Sequence, residues 1–495
     1  MNWLHTWAGV VLGGVLFAIF WMGTLSVFDR EIDRWMMPMT RLALPDQPIP
    51  LDAFQPYLET AAAAKARAWA VVPATEREPL VRVTWQDATG IVSLLLHPAT
   101  GAALPDPGTW AGTRFIYPFH YMLQIGIGRL GAWIVAFASM AMLVLCVSGV
   151  IIHRKIFVDF FTFRTGSKPR RALLDLHNVT GVLALPFHVA ITLSGLIIFY
   201  SIYFSVVFTI AYGDNGRTRF REETSGIVRQ PGSGHAGDMA SLGAMAEEAK
   251  RLWGGSAPGL VIVWHPGDAA GYVHMRRSND DVVAFPAGEI FFDSATGKLL
   301  PRREPLPVAS AQHFIAGLHL IHFRHWTLRW LYFVLGLSGC VLIATGSLFW
   351  LESRRKRHAQ LGFRGVRIIE GLTIGSVSGI MIATLSFFVV NRLLPPGATF
   401  AGYDRAALEI WTFYLVWLAA FGHAWMRPRR AWIEQCWALT ALAVAAVLLN
   451  WLTTSDHVLR SLAHRHLWAV GGMDLLLLAG AAVAAVTAIR LPPRC

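Results

Sequence analysis

The chain has 495 residues, of which 54% are hydrophobic and 15% charged, and its mean hydropathy is +0.46. Such values exclude an ordinary soluble domain and point to an integral membrane protein. The net charge of +12 is read as a topology signal carried by short basic loops, so it argues for no nucleic-acid partner.

Eight stretches are long enough to cross a bilayer as helices, at about 1.5 Å of rise per residue. The first, residues 1–28, is too long for a signal-peptide core, lacks a basic start and shows no small-residue cleavage site before Asp29, so it is expected to stay as an anchor. A long loop follows, 29–117, with an alternating β-type run from Val81 to Leu96 and a turn at Ala99-Thr100-Gly101. The second span, 118–152, leads into the loop 153–172, whose six Lys and Arg residues place it in the cytoplasm. The third span, 173–212, precedes a second long loop, 213–309, with a β-type run at Glu289 to Phe292 and a turn at Ala295-Thr296-Gly297. The fourth, 310–351, ends in another basic loop, 352–365, carrying Arg354-Arg355-Lys356-Arg357. Residues 366–495 then supply four further spans, near 366–391, 406–426, 430–451 and 467–490, as an appended bundle. An even number of crossings puts both termini in the cytoplasm and both long loops on the far side, the periplasm if the membrane is a bacterial inner membrane. The four cysteines avoid both loops and provide no disulfide or zinc spacing.

The front of the chain repeats itself. His5 is followed by Gly9 and Gly23, and His177 by Gly181 and Gly195 at the same offsets. The loops share the Ala-Thr-Gly turn, with Leu104-Pro105 after the first and Leu300-Pro301 after the second. His120 and His319 then open the paired spans, and Gly149 and Gly346 lie near their inner ends. The expected fold is therefore a polytopic α-helical membrane protein of about eight spans, with a duplicated helix-domain-helix core, two small α+β domains and an appended four-helix bundle. Parallel repeats of this kind pack about a pseudo-twofold along the membrane normal.

The LH-x3-G helices, together with LLLHPATGAALP and IFFDSATGKLLP, make the chain resemble the PepSY-associated transmembrane family over roughly residues 1–357. That family includes haem-containing, iron-regulated siderophore reductases of the ferrioxamine (FoxB-like) type in the bacterial inner membrane. The resemblance implies two periplasmic PepSY-like domains, haem b, and a ferric siderophore as substrate. The appended spans depart from the usual four-helix core.

Imidazole is a common axial ligand of haem iron, and ionisable groups inside a membrane are costly enough to suggest function. His177 and His188 are eleven residues apart, which on a straight helix is about 20° beyond three turns and about 16 Å of rise, so they would share one face at two depths. His5, the repeat equivalent of His177, is the expected partner at the inner level, with His153 as a competing ligand. His188 has no twin, because Leu16 stands at the matching place. On the far side His120 would pair with His319, each about 14 to 15 Å beyond boundary residues Arg129 and Arg329 on straight helices. His322, at i+3 from His319, is the alternative ligand there. Plainer roles exist for each: interfacial hydrogen bonding for His5 and His177, a bond to a carbonyl freed by Pro186 for His188, and tethering of the outer domains for His120 and His319. His97, His235, His265, His274 and His325 read as surface groups, and Trp3, Trp7, Trp326, Trp330, Trp350 and Trp432 as an interfacial belt. In the appended spans Glu370, Glu409, His423 and Asp474 are the polar residues at helix level.

The reading that follows is a haem b protein of the lipid bilayer that passes electrons outward to ferric siderophore iron. Without a strand-to-helix glycine fingerprint for flavin or nicotinamide, electrons would come from a quinol or a separate cytoplasmic donor. The alternative is a non-enzymatic PepSY sensor, regulatory protein or transport partner.

Overall fold

A computed structural model of the full chain describes residues 1–152, 169–225, 231–301, 305–360, 365–428 and 430–491. It divides into two compact units. One comprises Met1–Arg41, Pro107–Leu193 and Trp330–Cys495, the other Leu42–Asp106 and Ser194–Arg329.

The first unit is built from helices α1 (Asn2–Ser26), α2 (Asp29–Met36), α3 (Tyr117–Met122), α4 (Leu130–Ile152), α5 (Pro169–Leu183), α6 (Leu185–Ile198) up to Leu193, α7 (Trp326–Gln360) from Trp330, α8 (Gly365–Ile374), α9 (Ile380–Leu393), α10 (Arg405–Met426), α11 (Ala431–Thr454) and α12 (Trp468–Arg490). Among the described residues seven stretches are long and apolar enough to cross a membrane, and α5 with α6, bent by 64°, adds an eighth when the bent pair is counted as one span. The side chains of α4 show why such a helix belongs in lipid. Trp133, Phe137, Met140, Val144, Val147 and Ile151 recur every three or four residues and are all exposed. The buried side carries Gly131, Ala132, Ala136, Ala138, Met142 and Cys146. A soluble helix turns its large apolar residues inward; here small residues face the neighbours and let the backbones approach. In α12 the buried set Val470, Asp474, Leu477, Ala481, Ala484 and Ala488 has the same spacing, and it faces α11.

Three expected helices are broken. The stretch 118–152 stops at Leu123, whose φ of 53° is left-handed, and 310–351 stops at Ile321, φ 55°. A non-glycine residue in that region ends an α-helix, and neither residue announces it in the sequence. In the third span the bend falls at Ala184, two residues before Pro186, which has no N–H for the Val182 carbonyl and whose ring crowds the preceding turn. A fourth irregularity, the π-helical turn Gly375–Gly379, joins α8 to α9.

The second unit holds the β-structure of both long loops. β1 (Ala68–Val72), β2 (Val81–Asp87) and β3 (Gly90–Leu96) come from the first, β4 (Pro258–Trp264), β5 (Tyr272–Arg277) and β6 (Glu289–Asp293) from the second. They form one antiparallel sheet in the order β3-β2-β1-β4-β5-β6. The β-structure expected as two small α+β domains forms a single sheet, joined where Trp69 lies opposite Val263. A three-stranded meander with an unpaired edge is marginal in water, and edge-to-edge pairing removes that edge from both. Alternation in β2 buries Val81, Val83 and Trp85, which share a core with Phe54 from the turn Leu51–Phe54 and with Leu58, Leu242 and Met245 from helices Gln55–Ala63 and Leu242–Leu252. The Thr-Gly turns form as read: Gly101 and Gly297 have φ of 68° and 67°, and Asp293 Oδ1 accepts from Thr296 N and Oγ1 at 2.8 and 2.7 Å. His274, read as a surface group, is buried in β5, 3.1 Å from Glu289 and stacked on Phe291. Arg329, read as a membrane boundary marker, is fully buried.

Candidate functional site

Helices α1, α4, α5, α6 and α7 enclose a cavity of about 380 Å³, within the roughly 300 to 1,000 Å³ typical of cofactor and ligand pockets. Its wall includes His5, His177 and His188, and the glycines Gly9, Gly13, Gly149, Gly181 and Gly346. The His5 and His177 ring centroids are 6.5 Å apart with planes at 83°. Two imidazole–metal bonds of about 2.0–2.1 Å, plus about 1.1 Å from nitrogen to ring centre on each side, would require roughly 6.3 Å.

Both rings are oriented from behind. His177 Nδ1 donates to the Leu342 carbonyl at 2.9 Å, so in the neutral ring the lone pair sits on Nε2. His5 Nδ1 bonds Ser148 Oγ at 2.9 Å, and the same hydroxyl lies 3.2 Å from the Leu145 carbonyl; with the hydroxyl proton on that carbonyl, Ser148 accepts from His5 and the lone pair falls on Nε2. Metal-ligating histidines are commonly held through the second nitrogen in this way. Each ring also leans on a glycine: a Cβ at Gly149 would stand 3.4 Å from His5 Cε1, and one at Gly346 3.0 Å from His177 Cε1.

His188 is fully buried. Ser338 Oγ, 3.3 Å from Nε2, donates to the Leu335 carbonyl at 2.6 Å, so the histidine supplies the proton between them. Nδ1 has no hydrogen-bond partner among the described residues. Its ring neighbours are Phe20 and Phe187, at 6.0 and 5.9 Å. Because the helix bends between His177 and His188, the straight-helix estimate of one face at two depths does not apply, although both residues reach the same cavity.

The remaining candidates lie elsewhere. His120, on the short α3, donates from Nδ1 to the Ile19 carbonyl of α1 at 2.9 Å and presses on Gly23, where a Cβ would be 2.6 Å away. It therefore packs into the helical unit, a correction to the expected place well beyond a straight helix end. His319 belongs to the second unit, where Nδ1 bonds Ser194 Oγ at 3.0 Å and the ring presses on Gly195. His322 follows the left-handed Ile321 and stacks on Phe285 at 4.8 Å, so the expected i, i+3 neighbourship with His319 on one helix is not realised. His153 lies outside the described residues. Trp350, read as part of the interfacial belt, is buried and lines the cavity. No group of three or more His, Cys, Asp or Glu among the described residues has the arrangement of a metal-ion site.

Comparison with known proteins places this architecture. The description of the PepSY-associated TM region matches residues 2–353. The chain belongs to that family. It is also similar to the uncharacterized protein PA4219 of Pseudomonas aeruginosa, 25% identical over 313 residues that cover 59% of this chain and 75% of that one. In this PepSY-associated protein the match takes in His5, His177 and His188 and stops short of helices α8 to α12.

Those appended helices carry a second polar centre. Asp474 accepts from Trp35 Nε1 at 2.7 Å and from Asn450 Nδ2 at 3.3 Å. Arg41 reaches Asp456 at 2.7 Å, Asn450 Oδ1 at 2.8 Å and the Trp35 carbonyl at 2.6 Å. Glu409 takes Asn391 Nδ2 at 2.9 Å, Arg405 at 3.2 Å and the Thr109 hydroxyl. Glu370 pairs with Arg355 at 2.8 Å and His423 with Glu434 at 2.8 Å. All four polar residues noted in the sequence are thus hydrogen-bonded, and none lines the cavity. Arg41, Asn391, Arg392 and Asn450 escaped sequence reading; a buried Asn in the apolar run of α11 was the available signal.

Proposed function

We propose that this cavity holds haem b between His5 and His177, and that the protein carries electrons across a bacterial inner membrane to ferric iron held by a siderophore. The observation that carries the reading is the pair of imidazoles, 6.5 Å apart in a glycine-walled cavity, each with Nδ1 engaged so that ligation falls to Nε2. The repeat supports it. His5 meets Gly149, His177 meets Gly346, His120 meets Gly23 and His319 meets Gly195, so matched histidines of a duplicated core meet matched glycines. Equivalent strands β1 and β4 pair antiparallel at the middle of the sheet, as a local twofold would require.

Haem, when bound, supplies the one-electron redox step. The chain's own residues do the rest: Ser148 and the Leu342 carbonyl hold the rings in the ligating tautomer, and apolar side chains such as Leu16, Met142 and Leu342 keep water from the site. His188 is a third candidate ligand on the same wall. In this reading the basic loops are cytoplasmic, both termini lie inside and the sheet unit is periplasmic. Electrons enter from a quinol or a cytoplasmic donor.

The test is an oxidised and dithionite-reduced spectrum of purified wild type, His5→Ala, His177→Ala and His188→Ala. A Soret band with a reducible α-band in wild type, lost in His5→Ala and His177→Ala, is the expected result. A colourless wild type made under haem-sufficient expression overturns the reading and favours a sensor or anchor role. Full haem content in all three variants overturns the ligand assignment.

A further inference from the structure

The cavity is apolar along most of its wall, with one departure. Apart from its histidines, Arg354 is the single charged side chain among the described residues that line it, and Asn2 and Asn178 are its amide-bearing companions. Arg354 lies two turns beyond Gly346 on α7, and side chains on a helix lean toward its N-terminus, which directs this one back toward the His177 level. Its guanidinium sits over the Trp350 ring at 4.7 Å, and its hydrogen bond goes to the neighbouring Ser353 Oγ at 3.1 Å.

The next residue makes the contrast. Arg355 is met by Glu370 at 2.8 Å and Glu352 at 3.4 Å. Arg354 has no carboxylate partner among the described residues. The Arg354 side chain is only partly buried, so its guanidinium, stacked on an indole, stays available to an anion that enters the cavity. The planar fork of Arg is also the group best suited to a bidentate carboxylate.

We propose that Arg354 is the anion-binding residue of the cavity and pairs with a carboxylate of the bound macrocycle, fixing which edge of the haem faces the basic end of α7. The inference rests on the haem reading above and adds the polarity of the ligand: an apolar plate with acid groups on one edge.

The experiment uses full-length purified holoprotein. Haem release to excess apomyoglobin and the midpoint potential are measured for wild type, Arg354→Gln, Arg354→Lys and, as a nearby cation outside the cavity, Arg367→Gln. A charge-assisted pair contributes on the order of a 10- to 100-fold difference in affinity. Arg354→Gln is therefore expected to release haem about 10-fold faster or more, and its midpoint potential to fall, because a lost cation favours the ferric state. Arg354→Lys should be intermediate and Arg367→Gln unchanged. Wild type loaded with haem dimethyl ester, which keeps the macrocycle and removes both acid charges, should release it faster than haem by a similar factor; this arm needs no variant to fold. A coloured wild type whose Arg354→Gln variant and dimethyl ester complex both release at the wild-type rate overturns the role of Arg354 alone. A colourless wild type overturns the haem reading with it.

Discussion

Gly346 and Gly149 stand against His177 and His5, yet they have unequal room. An alanine methyl at 346 would lie 3.0 Å from His177 Cε1 and 3.2 Å from Nδ1, whereas one at 149 would lie 3.4 Å from His5 Cε1. Carbon atoms in good contact stay about 3.5 to 4.0 Å apart, so His177 must retreat by roughly half an ångström or more and His5 by a few tenths at most. The His177 hydrogen bond to Leu342 is 2.9 Å, and a retreat of that size brings it to about 3.5 Å, near the limit of a real bond. Losing one such bond is worth about 0.5 to 1.5 kcal/mol, or roughly 2- to 12-fold in the hold on whatever the ring ligates. At Gly149 the small displacement competes with the helix-propensity gain of alanine over glycine, up to about 1 kcal/mol. Under the proposed haem ligation, Gly346→Ala is thus expected to release haem several-fold faster, while Gly149→Ala stays within about twofold of wild type and melts no lower. Haem transfer to apomyoglobin and thermal unfolding in detergent read both quantities. If Gly149→Ala proves the more damaging, or Gly346→Ala leaves release unchanged, the geometry assigned to these rings is refuted.

Arg41→Met removes one partner of a buried pair, leaving Asp456 with its 3.5 Å contact to Arg460 and taking the Arg41 donor from Asn450 Oδ1, so unfolding in a detergent titration should show a loss of roughly 3 to 5 kcal/mol, with any Soret spectrum unaltered. Ile321→Gly should raise the melting temperature, since a β-branched residue held at φ 55° costs about 1–2 kcal/mol that glycine avoids. Asp268 accepts from Ser233 Oγ and from the backbone N–H groups of Ala270, Ser233 and Gly234, which hold its carboxyl well below the usual carboxylate range. Its folded pKa is depressed, so its contribution is complete above the unfolded value near 3.9 and disappears as pH falls through the folded one. Asp268→Asn should therefore melt below wild type at pH 6, and the gap should close as both are taken well below pH 4.

How much of this was legible in the sequence varies by element. The turns at Gly101 and Gly297 were readable because their chemistry is local: a glycine at positive φ and a Thr whose hydroxyl bonds within the turn, Thr296 donating to Asp293 and Thr100 accepting from the Ala102 N–H. So were the strands β2 and β3, through the alternation from Val81 to Leu96. β1, β4 and β5 were not singled out, and their pairing joins segments far apart in the chain. His5 and His177 were matched by repeat offsets, and they do meet in space. His319 and His322 were matched by helix periodicity, and they do not share a helix, because periodicity holds only while the helix continues.

What the sequence determined by itself is the membrane character of the chain and the doubling of its histidines and glycines. Transfer of a span into hydrocarbon is a sum over its own residues, and that sum needs no knowledge of neighbours. Tertiary structure alone decided where the helices stop at Leu123 and Ile321, that two loops share one sheet, that His188 packs beside Phe20 and Phe187 on the cavity wall, and that Trp35 finds Asp474. Each of those outcomes depends on the partner a buried polar group or an open strand edge finds after the chain has folded, and that partner lies elsewhere in the sequence with no local pattern to mark it.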